Sequence, residues 1–166
     1  MATLAAKMPS ARVVWRSLVA DDLAYVAALE AQIHAAPWTL GNFRDALAAG
    51  YATRVAEREG RIVAYGVLML APGEAQILNI SVVPDARRQG FGRALLGQFI
   101  DDARQFGAEQ CFLEVRVSNT AAIQLYEGAS FARVARRSEY YPPVSPEAPR
   151  EDALVMRRGL TPPHAV

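Results

Sequence analysis

The sequence predicts a single α+β domain in which a mixed sheet carries helices on both faces. Short β-branched runs alternate along the chain with segments whose apolar residues recur at helical spacing, which is typical of mixed helix and strand domains. The length of 166 residues suits one domain, and neither a repeat nor a shift in composition marks a second one. Hydrophobic residues make up 52% of the chain and charged residues 21%, an ordinary globular composition.

Capping and breaking residues define the elements of the first half. Residues 12–18 alternate in polarity, as a strand does. Asp21 or Asp22 can cap a helix that runs to about Ile33, because Pro37 prevents its continuation. The next predicted elements are a helix from Thr39 to about Gly50, with Leu40, Phe43 and Leu47 on one face, and a hairpin of strands Thr53–Glu57 and Ile62–Leu70 around Glu59-Gly60.

The second half continues the alternation of strand and helix. Pro72-Gly73 turns the chain into a β-branched strand at 75–83, and Gly107 ends a long helix that extends to about Phe106. The remaining predicted elements are a strand at 111–117, a short helix at 119–127, and strands at 131–137 and 152–157. We expect residues 1–11 to be a flexible leader, residues 12–160 to form the domain and residues 161–166 to be a flexible tail.

Composition argues against several classes of function. The formal net charge of +1 gives no overall attraction to nucleic acid or membranes, and no apolar run approaches the length of a membrane span. The one cysteine, Cys111, excludes an internal disulfide and suits a reducing cytoplasm. Its strand context favours a buried structural thiol over a nucleophile. His34 and His164 show no metal-ligand spacing, so we expect a cytoplasmic protein without a metal, with a monomer favoured.

The most informative stretch joins the strand at 75–83 to the long helix. A helix that opens in a glycine-rich turn aims its free N–H groups and its dipole at one spot. Gly90 and Gly92 permit close approach of a ligand, and Arg88 and Arg93 add charged donors. The stretch therefore predicts a phosphate or pyrophosphate site. The candidate binding residues are Arg88, Gln89, Gly90, Phe91, Gly92 and Arg93.

Three known phosphate-binding loops can be compared with this stretch. A dinucleotide-binding fold needs a third glycine where Leu95 stands, and a P-loop needs a Gly-Lys-Ser or Gly-Lys-Thr sequence that is not present. The stretch that begins at Arg87 or Arg88 fits, without a gap, the Arg/Gln-x-x-Gly-x-Gly/Ala pattern of the acetyl-coenzyme A loop in GCN5-related N-acetyltransferases. An ordinary helix start with incidental arginines is the remaining alternative.

The chain resembles the GCN5-related N-acetyltransferase superfamily well beyond this loop, over about residues 12–157. The shared segments, in order, are Asn79–Val82, Pro84-Asp85, Leu113–Arg116, Ser118-Asn119, Leu125–Glu127 and Phe131. A narrower set is similar to the RimI-type branch, bacterial enzymes that acetylate the N-terminal alanine of a small-subunit ribosomal protein: His34–Trp38, Arg136-Arg137, Tyr140–Pro142, Glu151–Ala153 and Met156. The resemblance implies a largely antiparallel twisted sheet flanked by helices, acetyl-coenzyme A as co-substrate and a protein N-terminus as acceptor.

The same resemblance implies an acid and a base. Glu114 lies in the Leu-Glu-Val-Arg segment that carries the branch's catalytic glutamate, whereas pattern alone gives only a glutamate on the polar face of a strand. Tyr126 matches the family tyrosine that points at the thioester sulfur, which implies a general acid. One modest base suits a terminal α-amine, with a pKa of about 8, better than a lysine amine at about 10.4.

The resemblance also implies which residues contact the coenzyme and which contact the acceptor. Ile80, Ser81 and Val82 are implied to meet the coenzyme through their backbone, on a strand that splays from its neighbour, so we expect the Ser81 side chain to be unimportant. Asn119 corresponds to the family asparagine that contacts the coenzyme, and it can equally cap a helix. The residues implied to flank the acceptor are Trp38, Tyr140 and Tyr141.

Two segments depart from the family pattern. The family usually continues Tyr-Glu with Leu-Gly-Phe, but this chain has Gly128-Ala129-Ser130-Phe131, so we expect a different turn. The linker from Tyr141 to Glu151 is rich in proline and longer than the family implies. Since it is implied to adjoin the acceptor groove, it bears on the choice of acceptor more than on the chemistry.

Three rival functions remain open. The first is a small-amine acetyltransferase, against which the Trp38 and Tyr140-Tyr141 segments argue because they match the peptide-holding branch. The second is an acyl-coenzyme A-binding module without turnover, against which the presence of both Glu114 and Tyr126 argues. The third is a nucleic-acid binder that uses Arg133–Arg137, but this run lies in a predicted strand and lacks an aromatic platform.

Overall fold

The structure, a computed structural model, describes residues 11–161, so residues 1–10 of the predicted leader and 162–166 of the predicted tail lie outside it. A seven-stranded sheet has the order β1-β2-β3-β4-β5-β7-β6. The strands are β1 (Val13–Arg16), β2 (Ala52–Arg58), β3 (Arg61–Ala71), β4 (Glu74–Val82), β5 (Gln110–Arg116), β6 (Ala132–Tyr141) and β7 (Glu151–Gly159). The helices are α1 (Leu23–Ile33), α2 (Leu40–Ala48), α3 (Phe91–Phe106) and α4 (Thr120–Gly128), with short 3-10 turns at Ala20–Asp22 and Pro84–Ala86.

The sheet is antiparallel except where β4 lies beside β5. These two parallel strands are paired only from Glu74 opposite Gln110 to Ile77 opposite Leu113. β4 then continues to Val82 without a partner on that side. The two strands therefore diverge and leave a wedge-shaped opening in the middle of the sheet.

Helices cover both faces of the sheet. On one face α3 buries Leu95, Leu96 and Phe99 against β4, β5 and α4. On the other face α1 and α2 bury Val26 and Phe43 against β2 and β3. The predicted largely antiparallel sheet with helices on both sides is confirmed.

A bulge in β4 reverses the alternation of its side chains. The pairing of β3 with β4 passes from Leu68 opposite Ile77 to Val67 opposite Asn79, so Leu78 is the extra residue. Ile77 packs in the core under α3, whereas Asn79 bonds to a side chain of α1. The bulge therefore turns the polar residues of the unpaired half of β4 towards α1.

Several local predictions need correction. The carboxylate of Asp22 does not cap α1; it accepts from the Val19 N–H and from Arg16, which holds the pKa of that carboxyl below its usual range. Leu40 is 37% exposed, and Ala46 is buried beside Phe43 on α2. β6 reaches Tyr141, four residues beyond the predicted end at residue 137.

Other local predictions are confirmed. The Thr39 side chain caps α2 by accepting from the Asn42 N–H at 3.1 Å. Gly107 ends α3 in the left-handed conformation, with φ of 90°. Cys111 is fully buried and a free thiol, and burial raises its pKa to about 12. After α4 it is Ser130 that takes a positive φ of 68°, so the turn expected to differ is made without glycine.

Close packing of α3 on the sheet depends on Gly66 of β3. A Cβ atom there would lie 2.6 Å from the Asn79 carbonyl oxygen and 2.8 Å from the Phe99 ring. We expect Gly66→Ala to lower the free energy of unfolding by about 2 kcal/mol, as overpacking does. Gly97→Ala is the matched control, because its Cβ meets nothing within 4 Å on an exposed turn of α3, and helix propensity should make it stabilising by about 0.5–1 kcal/mol. Urea denaturation checks both, and equal stability of the two variants would contradict the packing argument.

Candidate active site

A cavity of about 300 Å³ occupies the wedge between β4 and β5. α1 and the chain that follows it form one side, and α4, β6 and the linker after β6 form the other. Six residues singled out by the sequence line this wedge cavity together: Trp38, Ile80, Glu114, Asn119, Tyr126 and Tyr141. The structure therefore brings the predicted base, the predicted acid and two of the three predicted acceptor contacts to one place.

The remaining predicted residues lie outside the lining of the cavity. Ser81 is buried behind it, and Val82 ends β4 beside Gly92. Tyr140 is 39% exposed and packs edge-on against Tyr141. The glycine-rich loop lies beyond the end of β4, where it begins α3.

This loop presents a cluster of free donors. Gly90 has a left-handed φ of 85°, and the first backbone bond of α3 runs from Ala94 N–H to the Gly90 carbonyl. In the described chain the N–H groups of Phe91, Gly92 and Arg93 thus have no backbone acceptor. The exposed side chains of Arg88 and Arg93 add positive charge to the same helix end.

Two side chains of the loop face away from this helix end. Gln89 accepts from Arg58 and donates to the Asp85 carbonyl oxygen. Phe91 is buried in the core under the Arg58 guanidinium. Only the backbone of these two residues is left to contact a ligand. Gly92 sits close to α4, since a Cβ atom there would lie 3.3 Å from Leu125.

Glu114 lies on the polar face of β5, as strand alternation predicts, because Leu113 and Val115 are buried on the other face. Its Oε1 accepts from Arg137 at 2.7 Å. The Glu114 carboxylate also raises the pKa of the Tyr140 phenol. β6 therefore supplies one hydrogen-bond donor, Arg137, to the carboxylate that faces the wedge cavity, and a phenol whose pKa responds to it.

Tyr126 comes from the last turn of α4 and is 8% exposed. Its ring packs edge-on against Phe131, and burial raises the pKa of the phenol to about 12. A phenol with this pKa keeps its proton at neutral pH. The geometry is that of a fixed hydroxyl donor at the floor of the cavity.

A second set of contacts holds the far rim of the cavity. Arg116 donates to Glu151 at 3.2 Å and to the Pro142 carbonyl oxygen at 3.2 Å, and its guanidinium lies over the Tyr141 ring at 4.5 Å. Glu151 also accepts from the Ser118 N–H at 2.8 Å. Next along the chain, the Asn119 side chain caps α4 by accepting from the Ala122 N–H. The cap is one of the two roles expected for Asn119.

A polar network that the sequence did not predict lies on the α1 side of the cavity and is formed by Glu30, His34, Tyr65, Asn79 and Ser81, of which Glu30, His34 and Asn79 line the cavity. The Glu30 carboxylate, on a residue only 2% exposed, accepts from the Tyr65 hydroxyl at 2.6 Å, from Asn79 Nδ2 at 3.1 Å and from the Trp38 N–H at 3.2 Å. Burial and this carboxylate raise the pKa of the Tyr65 phenol, which stays a neutral donor.

The Ser81 side chain is part of this polar network, contrary to expectation. Its Oγ lies 2.8 Å from Asn79 Oδ1 and 2.8 Å from His34 Nε2. The β4 bulge turns this side chain towards α1, where it has partners that the expectation of an unimportant side chain did not include. The sequence offers only the four-residue spacing of Glu30 and His34 as a signal, and that spacing does not indicate burial.

Comparison with known proteins agrees with this geometry. The model of the acetyltransferase (GNAT) family matches residues 17–131. The chain belongs to the GNAT family. This acetyltransferase is 38% identical over 140 residues to the [ribosomal protein bS18]-alanine N-acetyltransferase of Escherichia coli K12, covering 84% of the chain and 93% of the relative. The enzyme of that name from Haemophilus influenzae is 33% identical and covers 82% and 92%.

Solved structures give the same result. The crystal structure of the ribosomal-protein-S18-alanine N-acetyltransferase from Escherichia coli has a TM-score of 0.83 and 35% identity to this acetyltransferase, and covers 92% of this chain and 97% of that chain. Ard1 from Thermoplasma volcanium has a TM-score of 0.79 and 25% identity, and covers 90% and 98%. The predicted superfamily, its RimI-type branch and the enzyme class are confirmed.

Two further observations concern the described part of this acetyltransferase. Residues 11–161 contain no group of three or more histidine, cysteine, aspartate or glutamate side chains placed to hold a metal ion. None of the helices in this range is both long enough and apolar enough to cross a membrane.

The raised pKa of Tyr126 gives a test by titration. The folded pKa of about 12 lies above the ordinary value of 10, so the neutral phenol adds stability below pH 10, and this contribution is lost as the pH rises towards 12. Ultraviolet absorbance titration of the parent minus Tyr126→Phe should show no phenolate from this residue below about pH 11. Stability should also fall less steeply in Tyr126→Phe over that range. A difference signal centred near pH 10 would contradict the assigned burial.

Proposed function

We propose that this acetyltransferase moves the acetyl group of acetyl-coenzyme A to the N-terminal α-amine of a protein, with the N-terminal alanine of a small-subunit ribosomal protein as the favoured acceptor. The observation that carries the proposal is the meeting of Glu114 and Tyr126 in one cavity where β4 and β5 diverge. The names of the relatives that cover almost the whole domain support the choice of acceptor. A ribosomal protein as acceptor would place the reaction in the cytoplasm.

The residues present fit the proposed co-substrate. Acetyl-coenzyme A supplies an acetyl group activated as a thioester. The free N–H groups at the start of α3, with Arg88 and Arg93, suit its pyrophosphate. The unpaired edge of β4 from Ile80 to Val82 offers backbone groups to the arm that follows, and one of these N–H groups would stabilise negative charge on the carbonyl oxygen.

The wedge cavity suits a cationic amine. Three carboxylates line it, from Glu30, Glu114 and Glu151. Glu151 is paired with Arg116 and Glu114 with Arg137, so among the described residues Glu30 is the carboxylate of the lining without an arginine or lysine partner. An α-ammonium group would therefore enter a cavity of favourable charge. Trp38 lies on the α1 side of the entrance and Tyr141 on the β6 side, so an extended N-terminus would pass between them.

Proton transfers complete the proposed chemistry. Glu114 would take one proton from the α-ammonium, directly or through water, and the neutral amine would then attack the thioester carbonyl carbon. The second proton of the nitrogen would pass to water as the tetrahedral intermediate collapses, and the nitrogen would become the amide of the product. Tyr126 would donate its proton to the departing sulfur, since its phenol is neutral at the operating pH. Neither a metal nor a covalent enzyme intermediate is required.

A small-amine acetyltransferase is the second candidate, because the same acid and base would serve it. The aromatic rim at Trp38 and Tyr141 favours a peptide, since rigid side chains lose little conformational entropy when they hold an extended chain. A coenzyme-binding module without turnover would need neither Glu114 nor Tyr126 in its cavity.

The coenzyme site can be tested without turnover. Changing Arg88 and Arg93 together to glutamine should weaken acetyl-coenzyme A binding at least about tenfold in calorimetry, because two charged donors are lost. Arg104→Gln is the control, since Arg104 lies at the other end of α3 and, within residues 11–161, pairs only with Asp101. Equal affinity of the two proteins would place the pyrophosphate elsewhere.

The acceptor can be tested by release of free thiol from acetyl-coenzyme A with short peptides. Peptides that begin with alanine or serine should be acetylated, and an acetyl-blocked control should not. Trp38→Ala and Tyr141→Ala should raise the peptide KM with little change in that for acetyl-coenzyme A. Glu114→Gln should lower kcat about 100-fold, with partial recovery as rising pH deprotonates the amine. Efficient acetylation of polyamines or aminoglycosides, with no transfer to any peptide, would favour the small-amine enzyme.

A further inference from the structure

The polar network on the α1 side of the cavity has a defined arrangement of protons. A carboxylate only accepts, so Asn79 directs its Nδ2 amide at Glu30 and its Oδ1 at Ser81 Oγ. The Ser81 hydroxyl has one proton, and Asn79 Oδ1 can only accept it. His34 Nε2, 2.8 Å from the same Ser81 Oγ, must therefore carry a hydrogen and donate it.

This assignment leaves Nδ1 as the nitrogen that holds a lone pair when the His34 ring is neutral. Within residues 11–161 Nδ1 forms no hydrogen bond, and the side chain, 38% exposed, lines the wedge cavity. Glu30 Oε2 lies 3.6 Å from Nε2 and can stabilise the ring when it is charged. His34 thus presents an unused basic nitrogen in the cavity that holds Glu114 and Tyr126.

The other candidate base is less free. The Glu114 carboxylate already accepts from Arg137 at 2.7 Å and interacts with the Tyr140 phenol. A proton moving to Glu114 must compete with the Arg137 guanidinium, which comes from β6. His34 Nδ1 has no such competitor among the described residues.

We propose that His34 is a second proton acceptor for the acceptor α-amine, approaching from α1 while Glu114 approaches from β5. This inference rests on the proposed function. In the step an N–H bond of the α-ammonium breaks, an N–H bond forms at His34 Nδ1, and the positive charge passes to the imidazolium. The amine keeps its electron pair for attack on the thioester carbonyl, and the imidazolium later releases the proton to solvent.

A variant that changes only the His34 side chain leaves every other ionisable group around it in place. The titratable and charged groups that share its network or its cavity are Glu30 on α1, Tyr65 on β3, Glu114 and Arg116 on β5, Tyr126 on α4, Tyr141 on β6 and Glu151 on β7. A change in the pH profile that is confined to a His34 variant would therefore belong to His34.

The test replaces the ring by a side chain that keeps the donor and lacks the base. His34→Gln retains an amide N–H for Ser81 and has no basic nitrogen. For an alanine-started peptide, kcat/KM should fall about tenfold at neutral pH, since one of two proton acceptors is lost. The acidic limb of the pH profile should change shape, because in the variant the rate follows the protonation of Glu114 and of the amine without a contribution from His34. Acetyl-coenzyme A affinity in calorimetry should stay within twofold. Tyr25→Gln, at an exposed position of the same helix, should match the parent protein.

Nitrogen NMR of the ring gives a readout that does not depend on turnover. With coenzyme A and the peptide bound, the His34 Nδ1 resonance should shift more than the Nε2 resonance, and His34→Gln identifies the signals. A uniform fall in rate with an unchanged acidic limb would reduce His34 to a positioning residue and overturn the proposal, as would an unchanged rate. If the parent protein acetylates no peptide, the proposed function fails; if it does and the His34→Gln profile is unchanged, only the His34 assignment fails.

Discussion

β4 and β5 share hydrogen bonds over only four residue pairs, and beyond these each strand stays paired only with its other neighbour, β4 with β3 and β5 with β7. A sheet that stayed paired to the ends of both strands would have no room for a ligand between them. The divergence creates the cavity, exposes the backbone of β4 on one side and lets Glu114 face the gap from the other. The start of α3, held where β4 ends, follows from the same arrangement. The proposed pyrophosphate site, oxyanion donor and base are therefore all positioned by one interruption of the hydrogen-bond ladder.

The bulge at Leu78 determines to which face of the sheet the polar side chains of β4 point. Without it, Asn79 and Ser81 would continue the apolar face that Ile77 presents to α3, where two polar side chains would be buried without partners. With it they reach Glu30, a buried carboxylate surrounded by donors. Since the Trp38 N–H bonds to the same carboxylate, α1, the acceptor rim and the free half of β4 are held as one unit.

Local signals were sufficient for most of the elements. Thr39 as a cap, Gly107 as a helix end and Gly90 in a left-handed turn can each be read from a few neighbouring residues, and the polar face of β5 follows from alternation. The Glu30 network could not be predicted, because it depends on residues 35 to 51 positions apart in the chain and on a bulge that alternation does not reveal. The chemistry of Glu114 and Tyr126 came from resemblance, and the structure adds that both line one cavity.

In the sequence the arginines of β6 form a positive cluster, but in the fold each of the three has an acidic partner. Arg133 pairs with Glu127, Arg136 with Asp152 and Arg137 with Glu114. The positive charge is matched by acidic neighbours, so the strand is not a bare cationic surface of the kind a nucleic-acid binder needs. Its arginines instead connect the edge of the sheet to the site.

The linker between β6 and β7 is fixed at its two ends. Arg116 holds the Pro142 carbonyl oxygen, and Arg150 donates to the carbonyl oxygens of Glu139 and Tyr140. Between these anchors one backbone hydrogen bond, from Ala148 to Ser145, lies within the segment. The interior of the linker therefore lies against the cavity, through Val144, without hydrogen bonds to Glu114 or Tyr126 among the described residues. Such a segment can change in sequence and length over evolutionary time, reshaping the entrance to the cavity while the proposed acid and base stay in place.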